Sequence, residues 1–557
     1  MVRNERIEEG TTSGPAAAPR EIELKLFATA AALDLLRAHP DVTAAALGPW
    51  RRARLVNRYF DTADRALATN RMALRLRRIG RRWVQTLKAS PHAAAGLSTR
   101  HEWEMDVAGA SLELGRLAET PLVQLGSPEA LSKRLAPRFS TDFLRESRRL
   151  RFEDGTEVEL AIDVGTIAAG RGKTRRTLPV SEVEIELATG SVDTVLRFAY
   201  RLVREVPMLV LPASKAARGD ALASGAAIDP VKVELPAPHG SAPATAHLAC
   251  VVAACQTALL ANVHALIAAA SAPRGEGKTM DDEFVHQARV AVRRMRSALR
   301  TFRGLLGARR YASLNERLRE AGAMLGAARD WDVFSTDMLG RVKSVLAIDA
   351  AGSEAFVAVR ATARVRRDAA HATLHAFVMS SEFARCALAV ERFVLRIGAR
   401  SGARSSPTMH ALAAKLLDSQ LRRVVAPARR IAALDETQRH RLRIEVKRLR
   451  YALDLFGNLY EAEAIETYRD ALSALQDELG TLNDAAVALR MLQSLCGSEH
   501  GLPEESALLA LAHERFAAWL ATRTKKRLPK VGSLSVALEL TPRPWAVLDG
   551  PDPVSTT

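Results

Sequence analysis

Acidic side chains are in short supply in this 557-residue chain: 63 Asp and Glu stand against 80 Lys and Arg, a formal charge of +17. A surplus of that size points to acidic partners: nucleic acid, an anionic membrane surface or free phosphates. Aromatic residues are scarce as well, at 5%, which disfavours stacking platforms for nucleobases. Four cysteines (Cys250, Cys255, Cys386, Cys496) lack CxxC spacing. That disfavours a metal site and, in apolar helical surroundings, predicts buried, reduced thiols. No run of 18 or more apolar residues is present, so no membrane span and no membrane partner are expected. Residues 1–19 mix acids with bases around Gly14, Pro15 and Pro19, without the apolar centre of a secretory signal. They read as a flexible leader, and the expected location is cytoplasmic.

Patterned charge is what the chain has instead. His286, Arg289, Arg293, Arg296, Arg300 and Arg303 follow a 3, 4, 3, 4, 3 spacing that puts all six on one side of a helix. Val292, Met295, Leu299, Phe302 and Leu306 run beside them as a buried seam. The pattern recurs 154 residues later as His440, Arg443, Lys447 and Arg450, beside Leu442, Val446, Leu449, Leu453 and Phe456. The same offset relates Leu318 to Leu472, Leu325-Gly326 to Leu479-Gly480, Asp330 to Asp484 and Val333 to Val487. One register held without a gap marks a duplication, and predicts two helical bundles that each present a basic helix. Like charges at i,i+4 repel, so lining up cations costs a helix stability; a polyanionic ligand would offset that cost. Neither His has a second metal ligand at i+3 or i+4, which disfavours a metal role for the pair.

Between Glu21 and Gly219 the period is two. Glu21, Glu23 and Lys25 share one face of a strand; so do Arg75 with Arg77, Glu102 with Glu104, Glu157 with Glu159 and Asp163, and Glu184 with Glu186, while Lys88 ends the strand that begins at Trp83. A solvated sheet face normally mixes in Thr, Ser and Gln. Faces this uniformly charged fit a closed barrel with a charged lumen better, because closure gathers them around one axis. Asn70 is expected at the turn before Arg75, where it tolerates a left-handed backbone. The domain order read from these periods is a leader (1–19), a barrel domain (20–226), a Pro- and Gly-rich linker (227–245), an all-α domain (246–530, its repeats 246–400 and 401–530) and a loosely docked tail (531–557). The Thr524-Lys-Lys-Arg527 run reads as a solvated helix end.

The carboxylates Glu21, Glu23, Glu184 and Glu186 offer hard oxygen ligands for Mg²⁺ or Mn²⁺. Lys25, Arg75, Arg77 and Lys88 suit phosphoryl oxygens. A metal beside a cationic clamp is the arrangement phosphoryl transfer needs. The bland alternative is an internal salt-bridge network, a poor way to fill a core.

Glu21-Ile-Glu-Leu-Lys25 resembles the ExExK signature of the CYTH superfamily, the triphosphate tunnel metalloenzymes. The likeness continues through Ala73-Leu-Arg-Leu-Arg77, Gln85-Thr-Leu-Lys88, Arg100-His-Glu-Trp-Glu104, Thr141-Asp-Phe-Leu-Arg145, Ala161-Ile-Asp-Val-Gly165, Glu182-Val-Glu-Ile-Glu186 and Ser214-Lys215. It implies an eight-stranded antiparallel tunnel that hydrolyses a triphosphate with a divalent cation. Glu21, Glu23, Glu184 and Glu186 would hold metal. Lys25, Arg75, Arg77, Lys88, Arg145 and Lys215 would line the phosphate path. Glu102, Glu104, Glu159 and Asp163 would bind a second metal or orient the attacking water. The inorganic triphosphatase type is the leading reading; an ATP cyclase, a thiamine-triphosphatase and a non-catalytic polyphosphate scaffold are the alternatives. The helical half resembles the CHAD family on His286 to Arg296, Ala328-Arg-Asp330, His440 to Arg443, Lys447-Arg-Leu-Arg-Tyr451 and Gly480 to Asp484. That likeness implies a basic surface for inorganic polyphosphate, with His286, Arg289, Arg293, Arg296, His440, Arg443, Lys447 and Arg450 as its contacts. Association with polyphosphate granules would follow.

Overall fold

A computed structural model describes residues 20–89, 96–225, 228–270, 281–399, 407–496 and 503–549. The expected leader, 1–19, lies outside the described residues. The chain divides into two compact units: one runs to Val195 and resumes over Leu211–Ala227, the other comprises Leu196–Val210 and the chain from Ile228 onward.

The first unit is built on eight strands: β1 (Arg20–Ala28), β2 (Arg51–Asp61), β3 (Met72–Ile79), β4 (Arg82–Ala89), β5 (Leu97–Val107), β6 (Ala136–Arg151), β7 (Glu157–Ala169) and β8 (Arg176–Thr189). They pair antiparallel in the order β5-β4-β3-β2-β6-β7-β8-β1, and β1 pairs back to β5 to close a barrel without edges. Register does the rest. Glu23 lies opposite Glu186 and Lys25 opposite Glu184; Glu21 faces Arg100, Lys88 faces Glu102, and Arg77 faces Asn57. Arg145 faces Asp163, which faces Glu182. Side chains alternate faces along a strand, so a one-residue slip in any pairing would turn a charged row outward.

The opposite parity makes the apolar jacket: Leu24, Leu26, Leu74, Leu87, Leu160, Ile162, Val183 and Ile185 are fully buried. Six helices occur in this stretch: α1 (Ala30–Ala38), α2 (Pro40–Ala44), α3 (Ala66–Thr69), α4 (Pro128–Arg134), α5 (Val192–Glu205) and α6 (Lys215–Ser224). Leu67 of α3 and Leu131 of α4 cover Met72, Leu74 and Leu87. On α6, Ala216, Leu222 and Ala223 pack on Tyr59, Phe139 and Val180. Gly219 permits that approach, since a Cβ there would meet the Phe139 ring at 2.1 Å. The left-handed backbone expected at Asn70 falls instead at Arg65 and Arg71, with φ of 60° and 57°. Asn70 has a φ of −90° and caps α3, its Nδ2 donating to the Ala66 carbonyl at 2.8 Å.

The second unit is helical: α7 (Ala244–Ala270), α8 (Asp281–Thr301), α9 (Ala308–Val333), α10 (Leu339–Leu346), α11 (Ala350–Val378), α12 (Ser381–Ala399), α13 (Met409–Ala428), α14 (Glu436–Phe456), α15 (Ala462–Cys496) and α16 (Pro503–Leu540). The duplicated stripes occupy α8 and α14. Their seam residues Val292, Leu299, Phe302, Val446, Leu453 and Phe456 are all buried, and the mates Phe302 and Phe456 meet at a centroid distance of 5.8 Å. Helix α8 ends at Thr301, so Arg303 and Leu306 lie past it and do not extend its stripes as the spacing suggested.

Four other expectations change. Helix α7 is long and apolar enough to cross a membrane, with an 18-residue window of mean hydropathy 1.8, although 61% of that window is buried within the structure. Its polar groups are met from inside: Gln256 donates to the Ala387 carbonyl at 3.0 Å and Asn262 to the Val231 carbonyl at 2.8 Å. Those are the marks of a core helix. The chain past Lys530 is no loose tail, because α16 continues to Leu540 with Val531 and Leu538 buried. Trp545, 1% exposed, sits edge-on to Tyr468 and donates to Asp418 at 2.8 Å. Residues 550–557 lie outside the described residues. Nor is the basic run a helix end: Arg527 pairs in mid-helix with Glu478 at 2.7 Å. All four cysteines are free, and Cys255 and Cys386 are buried as expected, but Cys250 is exposed.

Candidate active site and basic cleft

At the α6 end of the lumen the charges are fully met. Ser214 caps α6 by accepting from the Ala217 amide at 3.1 Å, which makes Lys215 the first helical residue. Its ammonium reaches Asp163 at 2.6 Å, Glu184 at 2.9 Å and also Glu182. Arg145 grips Asp163 with two bonds of 2.7 Å and touches Glu184. Arg218, one turn along α6, takes the other oxygen of Glu182. Burial pulls the Lys215 ammonium down, but Asp163, Glu182 and Glu184 outweigh it and hold its pKa well above the ordinary lysine value. Glu184 is desolvated too, yet Lys215 and Arg145 keep it well below the usual carboxylate range.

Farther along the bore the balance tips toward acid. Glu21 accepts from Lys88 at 2.7 and 2.8 Å, and Lys88 also meets Glu102 at 3.2 Å. Glu23 is shared by Lys25 and by Arg100 at 3.5 Å. Glu186 has no salt-bridge partner among the described residues. Burial, then the charges of Glu21 and Glu23, push its carboxyl up to about 7. Glu159 pairs in register with Glu186 on this same stretch of wall. Glu104 is 46% exposed and only 3.8 Å from Arg75.

Across the lumen, Arg77 is the reverse case. Its hydrogen-bond partner among the described residues is neutral, Asn57 Oδ1 at 2.9 Å. Burial, then neighbouring Arg75 and Arg145, lower its pKa to about 10. Arg75 leans on Glu102 at 3.5 Å, and its Nε is buried without a hydrogen-bond acceptor among the described residues.

Of the acids expected to hold metal, Glu184 is separated electrostatically from Glu21, Glu23 and Glu186. In the barrel, the acids whose oxygens lie within 4.8 Å of one another are Asp163, Glu182 and Glu184, but Lys215 and Arg145 already neutralise them. The Glu21, Glu23 and Glu186 side is the less compensated one, since burial first and then the charges of Glu21 and Glu23 raise the Glu186 carboxyl, and its three carboxylates could hold a divalent cation. A similar grouping in the helical unit, Asp282, Asp332 and His371, is met by Arg367, which bonds Asp332 at 2.8 Å and also reaches Asp282. That is a buried ion network.

Were Glu21, Glu23 and Glu186 to hold a divalent cation, Glu186 would serve as its deprotonated carboxylate. Affinity for Mg²⁺ or Mn²⁺, read by calorimetry, is therefore expected to rise as pH climbs to about 7 and to level off above it; Glu186→Gln should bind weakly at every pH. The sign for stability is the reverse. A carboxyl raised above its unfolded value stabilises below about 4.5, and that contribution is lost as pH passes the folded value of about 7.

Sequence reasoning left Glu182, Arg100, Arg218 and Asn57 without a role. Parity would have found the first two, since Glu182 alternates with Glu184 and Arg100 with Glu102. Arg218 stands three residues after Lys215 on α6.

In the helical unit, α8 and α14 bring their basic rows together. Arg289 meets Asp330 at 3.1 Å and its repeat mate Arg443 meets Asp484 at 3.6 Å. Arg296 donates to Asn315 at 3.3 Å. His440 Nδ1 lies 2.8 Å from Asn483 Oδ1; burial, then Arg329, hold half-buried His286 below the usual imidazole range. Arg293 of α8 and Arg450 of α14 both lie over the Tyr451 ring, at 5.5 and 5.4 Å.

The barrel and the basic cleft fall within two family matches: the CYTH domain model covers residues 19–219 and the CHAD domain model covers residues 257–493. The chain carries a CYTH domain and a CHAD domain. It is similar to an inorganic triphosphatase of Haemophilus influenzae, 34% identical over 171 residues, which is 30% of this chain. The chain spans 46%, about half, of that relative's length. Among solved structures, the CHAD domain from Ricinus communis is 26% identical with a TM-score of 0.44, covering 57% of this chain and 98% of its own. PptA from Streptomyces chartreusis is 14% identical with a TM-score of 0.38, over 53% of this chain and 100% of its own. HpAC1 from Hippeastrum, described as having a dominant triphosphatase activity, is 23% identical with a TM-score of 0.27, over 37% of this chain and 97% of its own. The CYTH match contains every barrel residue discussed above, Lys215 and Arg218 included, and the CHAD match contains both basic helices.

Proposed function

We propose that the CYTH domain hydrolyses inorganic triphosphate to pyrophosphate and phosphate with Mg²⁺ or Mn²⁺, and that the CHAD domain binds inorganic polyphosphate. One observation carries the enzymatic reading: the same lumen holds an under-compensated cation, Arg77, and an under-compensated acid, Glu186. A metal–triphosphate pair would satisfy both at once, whereas a filler network would have paired them with each other. When bound, the metal would neutralise developing charge on the phosphoryl oxygens. Glu21, Glu23 and Glu186 would hold it. Lys25, Arg75, Arg77, Lys88 and Arg145 would hold the phosphate chain extended along the bore, and Glu102 and Glu104 would orient water. Aligned, desolvated cations contribute most to charge that develops only in the transition state. The anion reading of the CHAD domain rests on the buried arginine nitrogens between α8 and α14 that lack acceptors. Phosphate release from triphosphate is expected to fall by about 10²-fold or more in Glu21→Gln and in Lys25→Ala. Undiminished release in both variants would refute the assignment.

A further inference from the structure

Lys447 stands on α14 one turn from Arg443 and one turn from Arg450, with Arg293 of α8 against it; the acid beside it is Asp484 of α15, which Arg443 already engages at 3.6 Å. Around this lysine the Nε atoms of Arg293, Arg443 and Arg450 and the Tyr451 hydroxyl are buried with no hydrogen-bond partner among the described residues. Buried polar groups without partners are costly, and four of them lining one basic cleft point to an occupant rich in acceptor oxygens. The cleft also strains its own charge state. Burial, then Arg443 and Arg293, push the Lys447 ammonium down to about 7.

We propose that the cleft between α8 and α14 takes up an inorganic phosphate chain together with one proton, which the Lys447 amine captures from solvent to become an ammonium facing the phosphate oxygens. The inference rests on the polyphosphate reading of the CHAD domain and deepens it. No phosphate bond is made or broken; the single chemical change is Nζ gaining a proton. Arg293, Arg443 and Arg450 keep their charge throughout, since guanidinium does not deprotonate in this range; the other groups on the two rows that can take a proton are His286 and His440, and Lys447→Arg leaves both in place. Binding and protonation are linked: affinity should be flat below about pH 7 and fall about tenfold per unit above it.

The test is calorimetric titration of the full chain with long-chain inorganic polyphosphate, whose few chain ends add little titration of their own. At pH 8, runs in two buffers of different ionisation enthalpy are expected to report uptake of about one proton per occupied cleft. Lys447→Arg should bind with no uptake at this site and no pH slope. Lys447→Met should bind more weakly than the parent at pH 6.5 and match it at pH 9. Tight binding by the parent without proton uptake, or uptake undiminished in Lys447→Arg, would overturn the proposal while leaving polyphosphate binding intact. No binding at any pH would overturn the polyphosphate reading and this inference with it.

Discussion

Arg77→Ala is expected to cut triphosphate turnover by about 10²–10³-fold while the melting temperature stays within a few degrees of the parent. The two halves of that result come from one cause. Arg77 is buried beside Arg75 and Arg145, and it donates to the neutral Asn57. Its pKa, lowered to about 10, means that the fold disfavours its charge, so removing the cation relieves repulsion. The loss of the Asn57 bond costs about 1 kcal/mol in return. A cation that contributes nothing to stability has its use elsewhere, and under the proposed function that use is the substrate. Turnover with Mg²⁺ and a thermal melt on the same preparation decide it: full activity with a large drop in melting temperature would make Arg77 structural and remove the phosphate path's central contact.

Lys215→Ala should do the opposite and unfold the barrel more readily. The ammonium serves Asp163, Glu182 and Glu184 together, the first two 0% exposed. Breaking a buried ionic cluster by deleting one partner costs about 3–5 kcal/mol, or roughly 6–20 °C in the melting temperature of a domain this size. The pH response should invert as well. In the parent, Asp163 and Glu184 are held below their ordinary values. Their stabilisation is present above the unfolded carboxylate range and is lost as pH falls through the lowered values. Without Lys215 the same carboxyls are desolvated with less compensation, their folded values rise, and the variant should gain stability on acidification from pH 8 to pH 5. Melting curves across that range test the sign, and a variant that follows the parent's pH trend would show that Arg145 and Arg218 suffice.

The barrel was legible because its strands carry charge at a period of two, a signal no helix reproduces, and because several strands share the signature that Glu21, Glu23 and Lys25 display. Parity put each named charge on the lumen side. What parity does not encode is partner choice. It could not show that Lys215 would neutralise Glu184 and leave Glu186 bare, because that depends on how closely α6 sits on Phe139, a matter of one glycine at 219. The helical duplication was legible through its constant offset. The end of α8 at Thr301 was not, since the basic spacing runs on through Arg303 while the backbone turns. Prolines at 542 and 544 suggested a loose tail, but Trp545 is anchored by Tyr468 and Asp418, residues more than seventy positions away that local reading does not reach.

Pairing of β1 with β5 leaves the bore without a lateral seam, so dissolved salt meets its charges only through the ends. The charges on α8 and α14 have no such wall around them. At physiological ionic strength the screening length is about 8 Å, enough to weaken what an open groove holds while reaching little of what a closed wall encloses. The two anion sites proposed for this chain therefore belong to different electrostatic regimes: brine is expected to loosen a phosphate chain from the helical half at concentrations that barely touch the barrel's hold.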